Sequence, residues 1–305
     1  MREGRASRTA EHNALFRALE TLRRPGDRLV DEPLAAAFLS RDLRAVVLGA
    51  RALPVHAAVL RIIDGCWPGV RTSVVARTRL IDDTITTIID DVAQVVVLGA
   101  GFDTRPYRLP SMRSKAVFEV DHPDTQRRKR ERLAGRRVPC DHVRFAATDF
   151  VHDGLGTTLA AAGYDPSVPA LVIWEGVTNY LDDHAVDTTL RWCGASAPGS
   201  HLVFTYIDRQ VLDHPGRYAG AERVLSTLRR AGESMTFGLD PKQVEAYLAA
   251  RGLALEFDLG AADYRRRYFG PLADRMVGHE FYRVVHAGII GHGTEDRHPP
   301  PQGAV

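Results

Sequence analysis

The chain has 305 residues, of which 45% are hydrophobic and 26% are charged, a composition typical of a folded globular protein rather than a disordered one. Its formal net charge of +2 gives no global attraction to nucleic acid or to an anionic membrane. The sequence contains no run of about 18 apolar residues that would form a spanning helix. The N-terminus lacks the apolar core of a signal peptide, and three widely spaced cysteines form no disulfide or zinc framework. We therefore expect a reduced, cytoplasmic protein.

The spacing of apolar residues predicts a helical N-terminal region. Apolar positions recur at the helical period over residues 14–22, and a Pro-Gly pair ends that helix. Residues 75–89 carry another apolar stripe, with Asp82 and Asp83 outside it, and so predict an amphipathic helix. We expect residues 1–90 to form a helical cap region.

A different pattern begins at residue 94, where short, continuous apolar runs alternate with helix-compatible segments. Such runs are typical of strands buried on both faces of a parallel sheet. The runs occupy residues 94–98, 116–120, 143–146, 170–174 and 201–205. The later strands are separated by helix-compatible segments at 124–134, 153–162 and 183–195. This alternation predicts an α/β fold with a doubly wound, mostly parallel, Rossmann-like sheet.

An antiparallel strand pair is expected to complete the sheet. Residues 253–259 and 281–289 supply its two candidate strands, and residues 207–245 are expected to form a helical lid insertion ahead of them. Residues 291–305 have a composition that cannot bury apolar area, so we expect a disordered tail. The main domain is therefore expected to cover residues 91–290.

The most informative motif is the turn Gly99-Ala100-Gly101, which follows the first apolar run. A buried strand that leads into a glycine-rich turn and then a helix is typical of a nucleotide-type cofactor site. Small residues let the backbone approach the ligand, and the helix N-terminus supplies free N–H donors. Taken alone, such a turn is also compatible with a purely structural role.

Acidic residues at the ends of the following strands strengthen the cofactor interpretation. Asp121 stands 20 positions after the second glycine of the turn, where a carboxylate can accept hydrogen bonds from a ribose diol. Glu119 points to the same face and is the competing candidate. Asp149 suits an adenine amine and Phe150 the adenine ring, while Glu175 ends the fourth strand. Open α/β sheets bind ligands at the carboxyl ends of their strands, so we expect one shared site.

These residues favour S-adenosylmethionine over a dinucleotide. The dinucleotide fingerprint requires a third glycine or an alanine where this chain has Thr104, and the sequence contains no Walker A motif. S-adenosylmethionine carries adenine, ribose and a charged amino-acid tail but no phosphate, so surrounding carboxylates do not repel it. A nicotinamide-dependent oxidoreductase and a non-catalytic binding protein are the alternatives.

Several motifs resemble the leucine carboxyl methyltransferase family, including its bacterial S-adenosylmethionine-dependent members related to tetracenomycin-type polyketide O-methyltransferases. The most specific are Leu-Gly-Ala-Gly-Phe-Asp-Thr-Arg at 98–105 and Glu-Val-Asp-His-Pro at 119–123. Softer matches lie at 7–10, 76–83 and 175–181. The resemblance therefore spans most of the chain.

The resemblance implies a donor site residue by residue. It implies that Arg77 holds the methionine carboxylate, that Asp121 binds the ribose and that Glu175 lies near the methionine amino group. It also implies that Asp149 and Phe150 contact adenine. The full set of implied cofactor-binding residues is Arg77, Gly99, Ala100, Gly101, Asp121, Asp149, Phe150 and Glu175.

The expected reaction is O-methylation, by direct displacement, of a carboxylate on a small-molecule or carrier-bound metabolite of secondary metabolism. A carboxylate needs no general base, because its pKa of about 4 leaves it ionised at neutral pH. A phenol or hydroxyl acceptor, which needs a base, is the alternative. No catalytic residue is identified with certainty, but Asn179, Tyr180 and Tyr206 are candidates for positioning the acceptor.

Other function classes receive little support from the sequence. Arginine-rich stretches at 127–132 and 264–268 are expected to be solvated helix faces rather than nucleic-acid surfaces. His279 and Glu280 lack the second histidine of a zinc helix, so no metal site is predicted. The expected partner is a small-molecule or carrier-bound acid, without nucleic acid or membrane, and the oligomeric state is left open.

Overall fold

The computed structural model describes residues 8–148 and 154–290. Its strands are β1 (Gln94–Leu98), β2 (Ala116–Asp121), β3 (Val143–Ala147), β4 (Ala170–Trp174), β5 (His201–Ile207), β6 (Leu253–Gly260) and β7 (Tyr282–Ile289). Its α-helices are α1 (Arg8–Thr21), α2 (Arg41–Gly49), α3 (Leu53–Cys66), α4 (Val70–Ile88), α5 (Arg105–Arg108), α6 (Pro123–Leu133), α7 (Leu155–Ala161), α8 (Asp183–Gly194), α9 (Gln210–Asp213), α10 (Ala221–Ala231), α11 (Val244–Ala249) and α12 (Ala261–Phe269).

The strands form a single sheet in the order β3-β2-β1-β4-β5-β7-β6 across the described part of the chain. Strands β1 to β5 are parallel, and β7 runs antiparallel to both β5 and β6. This arrangement confirms the predicted doubly wound, mostly parallel α/β fold. The strand order reverses between β1 and β4, and the carboxyl ends of strands at such a point border a ligand crevice.

The central strands form where continuous apolar runs can be buried on both faces. Every residue of β1 and β4 is buried. In β1, Val95 and Val97 pack into one apolar core, and Val96 and Leu98 pack into the core on the opposite face. The five predicted parallel strands begin at the predicted residues and end within two residues of them. The antiparallel end pair also forms where it was predicted.

The N-terminal helices pack against one face of this sheet. Helix α4 contacts α1, α12 and β7, and most of its residues are buried. Asp82 lies outside the apolar stripe of this helix, as expected, yet it is only 8% exposed. Its burial places a carboxylate inside the molecule, where it needs a cationic partner.

The segment 207–245 is less helical than the sequence suggests. Helix α10 ends at Ala231, and the next residue, Gly232, adopts a left-handed backbone with φ of 80°. The following chain then runs beside the end of β5, where Leu239 N donates to Ile207 O at 3.1 Å and Arg209 N donates to Leu239 O at 3.0 Å. Its role as a lid, like the division into a cap and a main domain, stays a prediction.

The predicted tail at 291–305 lies outside the described residues. Among the helices that the structure describes, none is long and apolar enough to cross a membrane.

Candidate active site

The turn after β1 brings two loops of the sheet into close contact. Gly99 has φ of 61° and Gly101 has φ of 39°, in the left-handed region that favours glycine. A Cβ atom on Gly99 would lie 2.3 Å from Val177 Cγ2, in the loop that follows β4. Ala100 N donates to Val120 O at 3.0 Å, which folds the turn over the end of β2. The turn therefore packs against the loop that follows β4, at the point where the strand order reverses.

Asp121 lies at the carboxyl end of β2 and faces this turn. Its carboxylate accepts hydrogen bonds from Gly101 N at 2.5 Å and His122 N at 2.6 Å. Burial raises the pKa of the Asp121 carboxyl, although these two hydrogen bonds oppose the rise. A carboxylate has about four lone-pair positions, so Asp121 keeps acceptor capacity for a ligand.

Glu119, the competing candidate on β2, is already occupied by a partner. Lys129 on α6 places its Nζ atom 2.8 Å from Glu119 Oε1, and both side chains are almost fully buried. Burial raises the pKa of Glu119 to about 6, against the effect of the lysine charge. Glu119 therefore stabilises the contact between β2 and α6, and Asp121 is the β2 carboxylate that remains for a ribose.

Arg77 and Glu175 form an ion pair across the crevice. Arg77 projects from α4 and Glu175 directly follows β4; Arg77 Nε lies 2.8 Å from Glu175 Oε1. The Arg77 guanidinium also lies over the ring of Tyr282 on β7, 4.5 Å from the ring centroid. Arg77 is 2% exposed, and the pair joins three elements that are distant in sequence.

A second buried arginine contacts the other oxygen of Glu175. Arg105 opens α5, and its Nη1 atom lies 2.7 Å from both Glu175 Oε2 and Asp103 Oδ2. Its Nε atom lies 2.8 Å from Asp82 Oδ1 on α4. Arg105 therefore contacts three carboxylates from three different segments.

The network continues towards the N-terminus. Arg108 Nη2 lies 2.7 Å from Asp82 Oδ2, and Arg108 Nε lies 3.6 Å from Glu32. Arg17 on α1 donates from Nε to Glu32 at 2.9 Å and from Nη2 to the carbonyl oxygen of Phe102, in the turn region, at 3.2 Å. Helix α1 is thereby connected to the glycine turn through buried charges.

The charges of this buried network balance. Four arginines face four carboxylates: Arg17, Arg77, Arg105 and Arg108 against Glu32, Asp82, Asp103 and Glu175. Burial by itself would raise the pKa of Glu175, but the charges of Arg105, Arg77 and Arg17 outweigh it and hold that pKa well below its ordinary value. Glu175 is therefore ionised throughout the neutral range.

The three acceptor candidates differ in their surroundings. Asn179 is fully buried, and its Oδ1 atom accepts a long hydrogen bond from Tyr282 at 3.5 Å. Its Nδ2 atom makes no hydrogen bond of normal geometry among the described residues, although the side chain interacts with the Tyr180 hydroxyl. Tyr180 is partly exposed, and burial raises the pKa of its hydroxyl. Asn179 and Tyr180 thus lie next to the ring that supports Arg77.

Tyr206, the third acceptor candidate, has different contacts from Asn179 and Tyr180. It is fully buried, and its hydroxyl donates to Asp258 on β6 at 2.7 Å, reaching across β7 towards the outer edge of the sheet. Arg283 also binds Asp258, which completes a packed polar cluster. We therefore do not place Tyr206 at the acceptor, because its hydroxyl points away from β4 and is already bonded.

The adenine end of the site lies only partly within the described chain. Asp149 and Phe150 fall outside the described residues. Thr148 follows β3, and its N atom donates to Asp121 O at 3.0 Å. The Thr148 hydroxyl is buried without a partner in the part of the chain that the structure describes.

The histidines near the sheet have structural contacts. His122 caps α6 by accepting from Asp124 N at 3.2 Å, and His184 is exposed on α8. His201 lies 3.1 Å from His286 across the β5–β7 pair. None of these contacts places an imidazole beside Glu175.

The arginine-rich stretches are only partly solvated. Lys129 within 127–132 is buried, as described above, and Arg265 within 264–268 is 1% exposed. Arg265 donates to Gly278 O and to Glu280, each at 3.0 Å. The prediction of a solvated face is therefore wrong at these two positions, because each cation has a buried oxygen partner.

The sequence did not identify Arg105 or Tyr282 as site residues. Arg105 was visible within the motif at 98–105, and an arginine inside a glycine-rich motif was an available signal. Its partners Asp82 and Glu175 lie 23 and 70 positions away, so no local pattern connects them. Tyr282 begins a late strand and carries no motif at all.

Known proteins share the sequence pattern of this chain. The sequence profile described as "Leucine carboxyl methyltransferase" matches residues 10–194. A Mycolicibacterium smegmatis protein, whose name places it among the S-adenosyl-L-methionine-dependent methyltransferases, is 34% identical over 238 residues that cover 74% of each chain. A similarly named Frankia alni protein is 34% identical over 207 residues, 67% of this chain and 70% of its own.

This chain belongs to the leucine carboxyl methyltransferase family. The match confirms the predicted family, and the chain is an S-adenosylmethionine-dependent methyltransferase. Two crystal structures share its fold. The first, named as a methyltransferase from Thermobifida fusca YX, has a TM-score of 0.57 and 17% identity, and the match covers 91% of this chain and 94% of that one. The second, a duf574 family protein from Streptomyces avermitilis, has a TM-score of 0.56 and 16% identity, and the match covers 77% of this chain and 91% of that one.

The residues of this methyltransferase fit its donor chemically. The amino-acid end of the donor carries a carboxylate and an ammonium, and Arg77 and Glu175 offer one charge of each sign 2.8 Å apart. The pair uses one N–H of a guanidinium that has five, so donors remain for a second carboxylate. At Gly101, a Cβ would meet only Gly99 O, at 3.7 Å, within residues 8–148 and 154–290, so these residues leave room beside the turn.

Proposed function

We propose that this methyltransferase methylates a carboxylate oxygen of a small-molecule or carrier-bound metabolite. S-adenosylmethionine supplies a methyl group on a sulfonium, which an ionised acceptor oxygen can displace directly. At the donor, Arg77 would bind the methionine carboxylate, Glu175 its ammonium and Asp121 the ribose. The Gly99-Ala100-Gly101 turn would lie under the amino-acid part. The adenine contacts of Asp149 and Phe150 stay predictions.

The observation that carries the choice of acceptor is the buried amide of Asn179, whose donors are not fully used. Its Nδ2 atom makes no hydrogen bond of normal geometry among the described residues, and the Tyr180 hydroxyl is the polar group that interacts with this side chain. A buried, unsatisfied donor costs about 1–3 kcal/mol, so a bound acceptor oxygen would relieve that cost. Tyr282 binds the Oδ1 atom and so directs the Nδ2 atom away from itself. A carboxylate offers two oxygens, one to accept from Asn179 and one to receive the methyl group.

The titratable groups nearby also favour an acceptor that needs no base. Tyr180 has a pKa raised by burial, so its hydroxyl stays protonated and cannot accept a proton at neutral pH. The histidines described above cap a helix, lie on an exposed helix face or pair across strands. His279 stacks on Tyr282, but burial lowers its pKa to about 3, which makes it a weak base. A carboxylate acceptor arrives already ionised, whereas a phenol must lose its proton in the site. The side chains therefore contribute by orientation, which is worth up to about 7–11 kcal/mol.

The kind of metabolism that the reaction serves and the class of its substrate belong to the same proposal. The resemblance to tetracenomycin-type polyketide O-methyltransferases supports an acceptor from secondary metabolism. The nearly balanced charge and the two buried cations within the arginine-rich stretches support a substrate that is neither nucleic acid nor membrane. A cytoplasmic location stays a prediction.

A labelled-methyl assay on matched carboxylic acids and phenols tests the acceptor class. We expect transfer to at least one acid, and we expect Asn179→Ala to lower kcat/KM for that acid tenfold or more while S-adenosylhomocysteine binding stays unchanged. Tyr206→Phe is the matched control, because it removes a buried hydrogen bond outside the proposed acceptor site. Transfer to phenols alone, or an equal loss of kcat/KM in both variants, would contradict the proposal.

A further inference from the structure

The Arg105 side chain is buried and is held in one position by three carboxylates. Its side chain is 3% exposed and contacts Asp82 on α4, Asp103 in the turn and Glu175 after β4. All three distances lie between 2.7 and 2.8 Å. Asp82 and Asp103 hold the guanidinium in place independently of any ligand. Arg105 can therefore fix the position of the third carboxylate.

Arg105 and Arg77 divide the two oxygens of Glu175 between them. Arg77 contacts Oε1 and Arg105 contacts Oε2, so both oxygens of the Glu175 carboxylate are fixed by an arginine. Among the residues that the structure describes, Arg77 has fewer anchors of its own, namely Glu175 and the face of the Tyr282 ring. The orientation of Arg77 thus depends on Glu175, and the orientation of Glu175 depends on Arg105.

We propose that Arg105 is a positioning residue of the donor site, which orients Glu175 and, through it, Arg77 towards the amino-acid end of S-adenosylmethionine. This inference rests on the donor roles of Arg77 and Glu175 in the proposed function. It is independent of the acceptor, because it concerns donor binding alone.

The charged groups around Glu175 show how Arg105 also controls its ionisation. Arg77 faces it from α4, Arg105 from α5 and Arg17 from α1, while Asp103 in the turn is the nearby like charge. Burial raises the pKa of Glu175, and Arg105 is the largest of the opposing influences. Without Arg105, that pKa rises, so Glu175 takes up a proton at a higher pH than in the wild type. A protonated Glu175 would no longer attract the donor's ammonium.

A merely structural role would give a different result. Arg108 is the matched control, since it is also buried and binds Asp82 in the same network but does not contact Glu175. Loss of either arginine leaves Asp82 with one cationic partner fewer and lowers stability. Only loss of Arg105 changes the orientation and protonation of Glu175.

The test is calorimetric titration with S-adenosylhomocysteine between pH 5.5 and 8, together with the Tm of each variant. We expect Arg105→Gln to raise Kd at least tenfold and to make it increase further as pH falls, relative to wild type. Arg108→Gln should lower Tm but keep the wild-type pH profile. Arg105→Lys keeps the charge with poorer geometry, so it should bind more weakly than wild type with a pH profile like that of wild type.

Two outcomes would overturn the inference, and one separate outcome would overturn its premise. Wild-type affinity and pH profile in Arg105→Gln, despite a lower Tm, would reduce Arg105 to a structural role. If that variant does not fold, wild-type affinity in Arg105→Lys would have the same meaning. Unchanged affinity in Glu175→Gln would instead show that Glu175 does not bind the donor. That result would refute the donor role assigned to Glu175, not the proposal that Arg105 orients it. The acceptor assay is unaffected by either result.

Discussion

Gly99 combines a backbone conformation and a close contact that only glycine satisfies. Its φ of 61° costs a residue with a side chain about 1–2 kcal/mol. A Cβ there would also collide with Val177 Cγ2 at 2.3 Å, so the loops after β1 and β4 would have to separate. The same separation would widen the floor of the donor site.

Gly135 offers a matched control for this contact. It has φ of 75°, but a Cβ added there would meet no atom within 4 Å. We expect Gly135→Ala to lose about 1 kcal/mol of unfolding free energy, and Gly99→Ala to lose at least about 1 kcal/mol more and to bind S-adenosylhomocysteine more weakly. Urea unfolding and calorimetry measure both. Equal losses in the two variants would show that the contact with Val177 relaxes freely.

At the residue scale, the sequence predicts side chains that carry a motif and misses those that act through distant partners. Asp121 and Glu175 follow buried strands, so their place at the crevice could be predicted from the strand pattern alone. The contacts of Arg105 could not be predicted from the strand pattern, because its carboxylate partners are brought to it by the fold from α4 and from the end of β4. The hydrogen bond from Tyr206 to Asp258 could not be predicted either, since the position of a residue in a strand does not reveal where its hydroxyl finds a partner.

At the element scale, one buried ion pair joins α6 to β2, beside a hydrogen bond at 2.9 Å from Gln126 on the same helix to the Glu119 carbonyl oxygen. Lys129 Nζ lies 2.8 Å from Glu119 Oε1 and 3.3 Å from the Ala100 carbonyl oxygen. Removing one partner of a buried pair leaves an uncompensated charge, which costs about 3–5 kcal/mol. The pair therefore fixes the helix beneath the glycine turn.

We expect Lys129→Met to destabilise the protein by about 3–5 kcal/mol near pH 7.5 and by less near pH 5. The pKa of Glu119 is already raised to about 6, and loss of the lysine raises it further. Its folded-state pKa then exceeds the unfolded value, so protonation at low pH relieves the buried charge. Denaturant unfolding at both pH values measures the difference. Glu119→Gln combined with Lys129→Met should recover part of the loss; no recovery would contradict the account.

Elements were predictable where burial is uniform. The central parallel strands β1 and β4 are continuous apolar runs because both of their faces are buried, and the pattern of such runs gave the bounds of all five parallel strands to within two residues. The segment after α10 was not predictable in the same way. Its extended course depends on backbone hydrogen bonds with Ile207 and Arg209, which the local sequence does not specify.

At the scale of the whole molecule, His279 connects three elements and makes stability depend on pH. Its Nδ1 atom lies 2.9 Å from Ser73 Oγ on α4, and that hydroxyl lies 2.7 Å from Tyr264 on α12. Its ring stacks on Tyr282 of β7 at 5.1 Å. Burial, with the nearby charges of Arg77 and Arg265, lowers the pKa of His279 to about 3. The imidazole is therefore neutral in the folded protein.

The lowered pKa of His279 sets the sign of the pH dependence. The unfolded state takes up a proton below about pH 6.5 and the folded state does not, so the unfolding free energy falls as pH decreases from 6.5 towards 3, by up to about 1.4 kcal/mol per unit. We expect His279→Asn, which tolerates the left-handed φ of 64°, to show a shallower fall between pH 6.5 and 4.5 than wild type. Unfolding at several pH values measures it, and identical slopes would contradict it. His286 is unchanged in both proteins and contributes equally.

The ion pair between Arg77 and Glu175 has a consequence for synthesis of the chain. The two residues are 98 positions apart, and Arg105 lies between them in sequence. A growing polypeptide that has reached only β3 carries both arginines without their shared carboxylate. The pocket for the amino-acid end therefore cannot assemble on the ribosome until β4 and Glu175 have emerged, and the donor can assist folding only after that point.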